Sequence, residues 1–410
     1  MSKEIKNKIL PKLRFPKFKE AGEWQLTTIG EVGKFHYGKS APKWSLSSDA
    51  PTLCVRYGEL YTKFDTIISE IFSRTNIDPS NLRFSKGGEI LIPRVGEVPQ
   101  DFGKNCCYLP FPNIAIGEMI SVYETEEYPI FYAYYFRTMW KQFAEVVEGQ
   151  NVKNLYYVNL EPIIVGKPSY IEQQKIASCL SSLDELITSQ SQKLEALKTH
   201  KKGLMQQLFP AEGETVPKRR FEEFRESEEW EIKSLGNIAE NLDFKRIPIT
   251  GNIREKGDVP YYGASGIIDY VKDFIFDETL LCISEDGANL VDRNYPIAFS
   301  ISGRTWVNNH THVLRFEKVF TQVMVENYLN SINLEDFLTG MAQPKLNRSK
   351  LDIIPIPLPK SEVEQQKIAD CLSSLDELIT AQTQKIEELK KHKKGLMQGL
   401  FPNINELPNE

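Results

Sequence analysis

The chain repeats itself. Residues 172–210 read EQQKIASCLSSLDELITSQSQKLEALKTHKKGLMQQLFP, and residues 364–402 read EQQKIADCLSSLDELITAQTQKIEELKKHKKGLMQGLFP. At an offset of 364 − 172 = 192 residues, 32 of the 39 positions are identical and seven differ. Solenoid repeats have periods of roughly 20–50 residues, so a spacing this long means that whole domains were duplicated. Weaker echoes extend the repeat. Arg14-Phe15, Phe18, Trp24 and Ile29-Gly30 recur as Arg220-Phe221, Phe224, Trp230 and Leu235-Gly236. Leu155, Leu160, Ile163, Val165 and Pro168 recur as Leu346, Leu351, Ile354, Ile356 and Pro359. EILIPRVG (89–96) matches LLCISEDG (280–287) in outline, an apolar strand that ends at a turn glycine. Each half is therefore a mixed α/β globular segment followed by a long helix. The globular segments have diverged and the helices have not.

The helices carry a heptad seam. Ile176, Leu180, Leu183, Ile187, Leu194, Leu197, Leu204 and Leu208 fall at 4-3-4 spacing in the first copy. Ile368, Leu372, Leu375, Ile379, Ile386, Leu389, Leu396 and Leu400 do so in the second. Gln190 and Lys201, with Gln382 and Lys393, are polar seam positions able to fix register. Acidic residues sit early (Glu172, Asp184, Glu185) and basic ones late (Lys198, His200, Lys201, Lys202), as the helix dipole prefers. A narrow stripe on a helix of about 37 residues asks for another helix, and the other copy is the obvious partner. Each helix is expected to be roughly 55 Å long. The expected fold is α+β: two mixed α/β globular domains separated by two long antiparallel coiled-coil helices about a pseudo-twofold axis. The expected divisions are a basic N-terminal segment (1–23), a first domain (24–168), a first helix (169–210), a linker (211–229), a second domain (230–359), a second helix (360–402) and a tail (403–410).

Composition narrows the function. Hydrophobic residues make up 41% and aromatic residues 11%, enough for real cores. No run of 18 or more apolar residues appears, so no membrane span is expected, and the N-terminus lacks the apolar region of a secretory signal. The six cysteines (Cys54, Cys106, Cys107, Cys179, Cys282 and Cys371) show no paired spacing, which points to reduced thiols in a cytoplasmic protein. The net charge of −6 argues against a nonspecific polyanion binder. It leaves room for a specific one, which needs a basic face and not a basic average.

No catalytic centre stands out. Gly33–Ser40 satisfies G-x-x-x-x-G-K-S, but Pro42 follows too early for a helix, and the second half has Asn241–Arg246 there without glycines. A glycine-rich turn is the expectation. His310 and His312 form an H-x-H on an expected strand (307–313), where both would face one side as metal ligands do, yet no third ligand is evident. A strand with one polar face is the simpler account. A methyltransferase would need a glycine-rich cofactor loop and an Asn/Asp-Pro-Pro-aromatic motif, and neither is present. Basic, amide and aromatic residues do cluster at expected strand ends. In the first half these are Lys39, Ser40, Arg56, Tyr57, Tyr61, Arg94, Lys104 and Asn105. In the second they are Lys245, Arg246, Tyr261, Tyr262, Arg304, Trp306, Asn308 and Asn309. Such side chains reach phosphates and base edges, and they form the candidate DNA-binding set.

These residues carry a resemblance. Two variable segments, each followed by an EQQKIA…L…LD…I…K…L…KKGLMQ-LFP helix and preceded by LRFPKF…W or RRFEEF…W, resemble the specificity subunit of type I restriction–modification enzymes over essentially the whole chain. The resemblance implies two target-recognition domains, each reading one half of a bipartite double-stranded DNA target. It implies helices that set the half-site spacing and hold two modification subunits, with two restriction subunits beyond them. S-adenosylmethionine would be on the modification subunits, ATP and Mg²⁺ on the restriction subunits, and no cofactor or catalysis in this chain. The alternative is a non-enzymatic coiled-coil adaptor whose globular halves bind protein.

Overall fold

The computed structural model describes residues 8–340 and 343–403; the first seven residues of the basic N-terminal segment and residues 404–410 of the expected tail lie outside them. The chain divides into two compact units, Met1–Ser189 with Ile386–Glu410, and Gln190–Lys385. Unit 1 holds strands β1 (Lys8–Ile9), β2 (Trp24–Thr28), β3 (Gly33–Tyr37), β4 (Thr52–Val55), β5 (Ser73–Thr75), β6 (Phe84–Lys86), β7 (Glu89–Pro93), β8 (Val95–Gly96), β9 (Cys107–Leu109), β10 (Pro112–Ile116), β11 (Ile120–Thr125), β12 (Lys153–Asn154) and β13 (Ile164–Lys167). Unit 2 holds β14 (Glu231–Ser234), β15 (Glu240–Asn241), β16 (Lys256–Gly263), β17 (Gly266–Val271), β18 (Phe276–Asp277), β19 (Leu280–Ser284), β20 (Ala298–Ile301), β21 (Arg304–Val307), β22 (Thr311–Arg315) and β23 (Pro355–Leu358).

The two units share one topology. Unit 1 has four-stranded sheets ordered β5-β4-β10-β6 and β3-β11-β7-β9, and unit 2 has β17-β16-β21-β18 and β15-β22-β19-β20. In each, a single parallel pair (β4 with β10, β16 with β21) sits among antiparallel neighbours. A buried central strand explains the apolar runs read in the sequence: every residue of EILIP in β7 and of LLCIS in β19 is buried. A helix follows the sheets in both, Pro129–Thr138 in unit 1 and Val319–Ser331 in unit 2. Divergence between the halves has therefore left the fold unchanged.

Each long helix is continuous, Tyr170–Leu208 and Glu362–Leu400, 39 residues apiece. Ser169 and Ser361 sit before Glu172 and Glu364 in the S-x-x-E spacing of a helix start, each offering its Oγ to the glutamate N–H at 3.4 Å. Within each unit the first and second helices run antiparallel. In unit 1 Asp184 pairs with Lys393, and Ile176 and Leu180 share a core with Leu396 and Leu400. In unit 2 the Gln382 amide donates to Gln190 Oε1 at 2.9 Å and Lys201 pairs with Asp376 at 2.6 Å. The polar seam positions thus bond to helix partners. Ile176, Leu180, Ile368, Leu372 and Ile386 are buried; Leu183, Ile187, Leu194, Leu197, Leu375, Ile379 and Leu389 are half-buried.

The helix ends close the cores. Phe401, after the second helix, stacks on Tyr135 (5.0 Å) beside Phe131 and Trp24 in unit 1. Phe209, after the first helix, meets Trp230 (6.3 Å) and Tyr328 (5.5 Å) in unit 2. Full burial of such a side chain contributes about 1.5–3 kcal/mol, so the repeated LFP endings are structural. The arginines of the repeated preambles are structural too. Arg14 Nε and Nη2 donate to both oxygens of Glu172 at 2.7 Å, and Arg220 does the same to Glu364 at 2.6 and 2.7 Å. Those glutamates are all but fully buried.

Two local expectations are corrected. Gly33–Ser40 is not a glycine-rich turn; Gly33–Tyr37 is a strand paired along β11, and only Gly38 onward leaves it. The stretch 307–313 is not one strand either. β21 ends at Val307 and β22 begins at Thr311, with a turn held by Asn308 Oδ1 accepting from His310 N–H at 2.8 Å. His310 therefore sits in the turn and not on a shared face with His312.

Candidate nucleic-acid interface

The strand topology brings the carboxyl ends of four strands to one rim in each unit. In unit 1 these are β3, β4, β7 and β10, followed by Lys39, Arg56, Arg94 and Gly117. Main-chain bonds tie them: Gly117 N–H to Val55 O (2.9 Å), Arg94 N–H to Met119 O (3.0 Å) and Lys39 N–H to Ile116 O (2.8 Å). A cleft of about 250 Å³ opens here, its wall built from Ser40, Lys43, Arg56, Tyr57 and Gly117. Gly38 lets the chain cross at this point, because a Cβ there would lie 2.0 Å from Gly117 O. Ser40 and Ala41 follow, both left-handed at φ 63°. Left-handed non-glycine residues cost of order 1–3 kcal/mol each and cluster at functional sites.

The charges of this rim are mostly cationic, Glu118 being the carboxylate in the cleft lining. Lys39 and Lys43 are exposed and Arg56 is half-buried. Among the described residues none of these, nor Arg94, has a carboxylate within ion-pair distance. The Arg94 guanidinium lies 4.8 Å from the Tyr37 ring centroid, and its buried Nε has no hydrogen-bond partner. Burial, ahead of the neighbouring charges, raises the Tyr37 phenol above its ordinary pKa, so that ring stays neutral beneath the cation. Lys104 and Asn105 lie elsewhere. Lys104 rests on Trp140 (4.9 Å) near Asp101, and the Asn105 amide donates to Asp101 O.

The same rim in unit 2 has different chemistry. Asn308 N–H bonds Tyr262 O (3.0 Å) and Glu285 N–H bonds His310 O (3.0 Å), so Asn308 stands where Gly117 does and Glu285 where Arg94 does. Glu285 accepts from Arg246 at 2.6 Å and pairs with Lys345 at 3.2 Å. Arg246 also donates to Thr311 O and Asp243 O. His312, buried, puts Nδ1 at 2.6 Å from Asp243 and Nε2 at 2.7 Å from Leu346 O. Both ring nitrogens are thus engaged. Burial works against ionisation of Asp243 and Glu285, but bonds from His312 and Arg246 respectively outweigh it and hold both carboxylates below their usual pKa.

This network revises two candidate contacts. Arg246 spends its donors inside the fold, and Asn308 is buried as the brace of its turn. Both support the rim. Lys245 and Asn309 remain exposed there, and Tyr262, stacked on Phe299 at 5.9 Å, is half-buried. Arg304 is exposed at the opposite end of β21, over Phe274. Sequence reasoning passed over Lys43 and the Asp243–Glu285–His312 network. The first had a signal, a lysine beside an exposed-type aromatic between two strands. The network had none, because it joins residues 27 to 69 positions apart. All six cysteines are free, and burial pushes the thiols of Cys54 and Cys107 up to about 11 and about 12.

Fold and rims together define a duplicated recognition scaffold: one topology used twice, with two differently charged edges. The chain belongs to the type I restriction modification DNA specificity domain family, whose model matches residues 21–199 and 227–391. It is 35% identical over 156 residues to a putative type I restriction enzyme specificity subunit of Haemophilus influenzae, covering 38% of this chain and 40% of that protein. It is 27% identical over 267 residues to the putative type I restriction enzyme MjaX specificity subunit of Methanocaldococcus jannaschii, covering 61% of each. The matched stretches thus span about two fifths to three fifths of these relatives. The fold is similar to that of the type I restriction–modification S subunit of M. genitalium, with a TM-score of 0.66 at 16% identity over 97% of this chain and 100% of that one. It is also similar to a chain from work on complex assembly and conformational transition of the type I R-M system, with a TM-score of 0.53 at 14% identity over 93% and 98%. No helix among the described residues is long and apolar enough to cross a membrane.

Proposed function

We propose that this chain is the DNA-reading subunit of a cytoplasmic type I restriction–modification complex. Unit 1 reads one half of a bipartite double-stranded target and unit 2 the other. The observation that carries the reading is the pairing of one shared strand topology with two unlike rims, mounted on helices that lie within a 39-residue repeat identical at 32 positions. A surface that must meet the same partner twice stays constant, and a surface that must read two different half-sites diverges.

In this reading the near-identical helices hold two modification subunits, which carry S-adenosylmethionine, and two restriction subunits using ATP and Mg²⁺ join the assembly. This chain supplies position and specificity and performs no catalysis. Lys39, Lys43 and Arg56 of the unit 1 rim meet phosphates, Arg94 and Tyr57 face base edges, and Lys245 and Asn309 do so in unit 2. The long helices set the spacer. Methylation-sensitive sequencing of host DNA with and without this chain tests the reading: a bipartite methylated motif must vanish with the chain. Deleting four residues within 189–196 must change the spacer of that motif and leave its half-sites intact. Methylation of an unchanged sequence would refute the role of the helices.

A further inference from the structure

Two aromatic side chains stand out by being left in water. Trp44 is 77% exposed and Phe244 is 73% exposed, the two highest values for large hydrophobic side chains among the described residues. They occupy the same place in the two units. Trp44 lies in the connection from β3 to β4, and Phe244 in the connection from β15 to β16. Each sits in a one-turn 3₁₀ segment, Lys43–Ser45 or Asp243–Lys245, beside a lysine.

Both mounts are anchored by buried polar groups. Ser45, fully buried, donates its hydroxyl to Pro42 O at 2.7 Å and lies 2.8 Å from Thr75 Oγ1. Asp243 accepts from Val313 N–H at 2.9 Å and holds His312, and Arg246 on the other side is bonded into the network described above. A floppy loop tip would expose an aromatic by default. Here buried polar anchors on the same turn hold the ring outward. A single exposed apolar side chain is ordinary; the pair is set apart by its equivalent place in both units, its anchored turns and the lysine beside each ring.

The geometry points to Trp44 and Phe244 as stacking wedges, each inserted against the bases of its own half-site. This rests on the DNA reading above. The ligand must offer a flat apolar face beside anionic groups, because Lys43 and Lys245 adjoin the rings and Lys43 and Arg56 line the cleft next to Trp44. A nucleobase between phosphates has that chemistry. The wedge partly unstacks the base step, and the lysine beside it holds the adjacent phosphate.

The test uses the complex assembled with its modification subunits and a duplex bearing the target found by methylation mapping, with 2-aminopurine placed in turn at each position of both half-sites. The wild-type complex is expected to raise 2-aminopurine emission at one step in each half-site. Trp44→Ala should abolish the rise in one half-site only, Phe244→Ala in the other only, each weakening binding about tenfold to a hundredfold. Trp44→Phe should retain the rise. Sequence-specific binding without any emission change, or a change that survives both alanine substitutions, overturns the wedge and leaves the DNA reading standing. Loss of modification-subunit assembly in the alanine variants, with emission unchanged, assigns the rings to a protein contact and overturns it too. A wild-type complex that prefers no sequence overturns both readings.

Discussion

If the unit 1 rim meets the DNA backbone, its cations must appear in the salt dependence of binding. Each phosphate neutralised contributes about −0.9 to the slope of log affinity against log salt. Lys39, Lys43 and Arg56 have no carboxylate partner among the described residues, so each is available to a phosphate at full charge. Three contacts sum to a slope of about −2.7, which is about 40-fold in affinity over a fourfold change in salt. The combined Lys39→Ala, Lys43→Ala and Arg56→Ala variant, assembled with modification subunits, should therefore bind a labelled target duplex with a slope shallower by about 2.7. Anisotropy titrations across about 50–200 mM KCl measure it. Arg246→Ala is the control. That arginine is neutralised by Asp243 and Glu285, so its loss should reduce stability and leave the slope unchanged. An unaltered slope in the triple variant, or an equal change in the control, would refute the assignment of free charge to this rim.

Three further outcomes follow from the geometry. Glu172→Gln strands the Arg14 guanidinium in a nearly buried site and should cost about 3–5 kcal/mol in urea unfolding, while joint replacement of Arg14 and Glu172 by methionine should recover most of it; a cost below about 1 kcal/mol would mark the pair as surface-like. Gly38→Ala puts a Cβ 2.0 Å from Gly117 O and should destabilise unit 1 at or above the upper end of the about 1–3 kcal/mol of overpacking, whereas Ala41→Gly should be nearly neutral, since relief of the left-handed backbone offsets glycine's added entropy; denaturation midpoints decide both. Asp243 and Glu285 have depressed pKa values, so the stability they confer is present above the ordinary carboxylate range of about 4 and is lost as pH falls below it; Glu326, pushed up by burial, acts in the opposite sense. Asp243→Asn with Glu285→Gln should flatten the decline of the urea midpoint below about pH 4, and an undiminished decline would place the acid sensitivity elsewhere.

The long helices were legible because their information is local and periodic. A 4-3-4 stripe, an S-x-x-E start and a Pro exit specify a helix and its face without reference to anything distant. The polar seam positions were legible for the same reason, although their partners were not: Gln190 finds Gln382, and Lys201 finds Asp376 as its repeat counterpart Lys393 finds Asp184. The rim was legible only as composition. Arg94 and Glu285 occupy one structural position with opposite charge, and nothing in either local sequence says that the first is left without a counterion and the second is neutralised. That outcome depends on Arg246 and Lys345, respectively 39 residues before and 60 residues after Glu285 in the chain. The H-x-H stretch misled for a related reason. Alternation over 307–313 fits a strand, and only the Asn308 side chain, by capping His310 N–H, turns the backbone there.

Divergence of the rims without loss of fold has a simple physical basis. The bonds that assemble the rim are between main-chain atoms. Gly117 N–H to Val55 O matches Asn308 N–H to Tyr262 O, and Leu155 N–H to Arg94 O matches Leu346 N–H to Glu285 O, both of the latter at 2.8 Å. Every residue except proline supplies the same N–H and C=O, so these bonds are indifferent to whether glycine or asparagine, arginine or glutamate, occupies the position. Side chains at the strand ends project from a frame they do not build. Beneath them strands β7 and β19 are buried throughout and apolar but for Glu89 and Ser284, and the helix faces must keep their heptads. Change is therefore cheap where the rim faces outward and costly everywhere else. Under the proposed function, substitutions that retarget one half would fall at the rim first, and an Arg94 without a counterion and a fully paired Glu285 stand on the same backbone position without any change in the main-chain bonds beneath them.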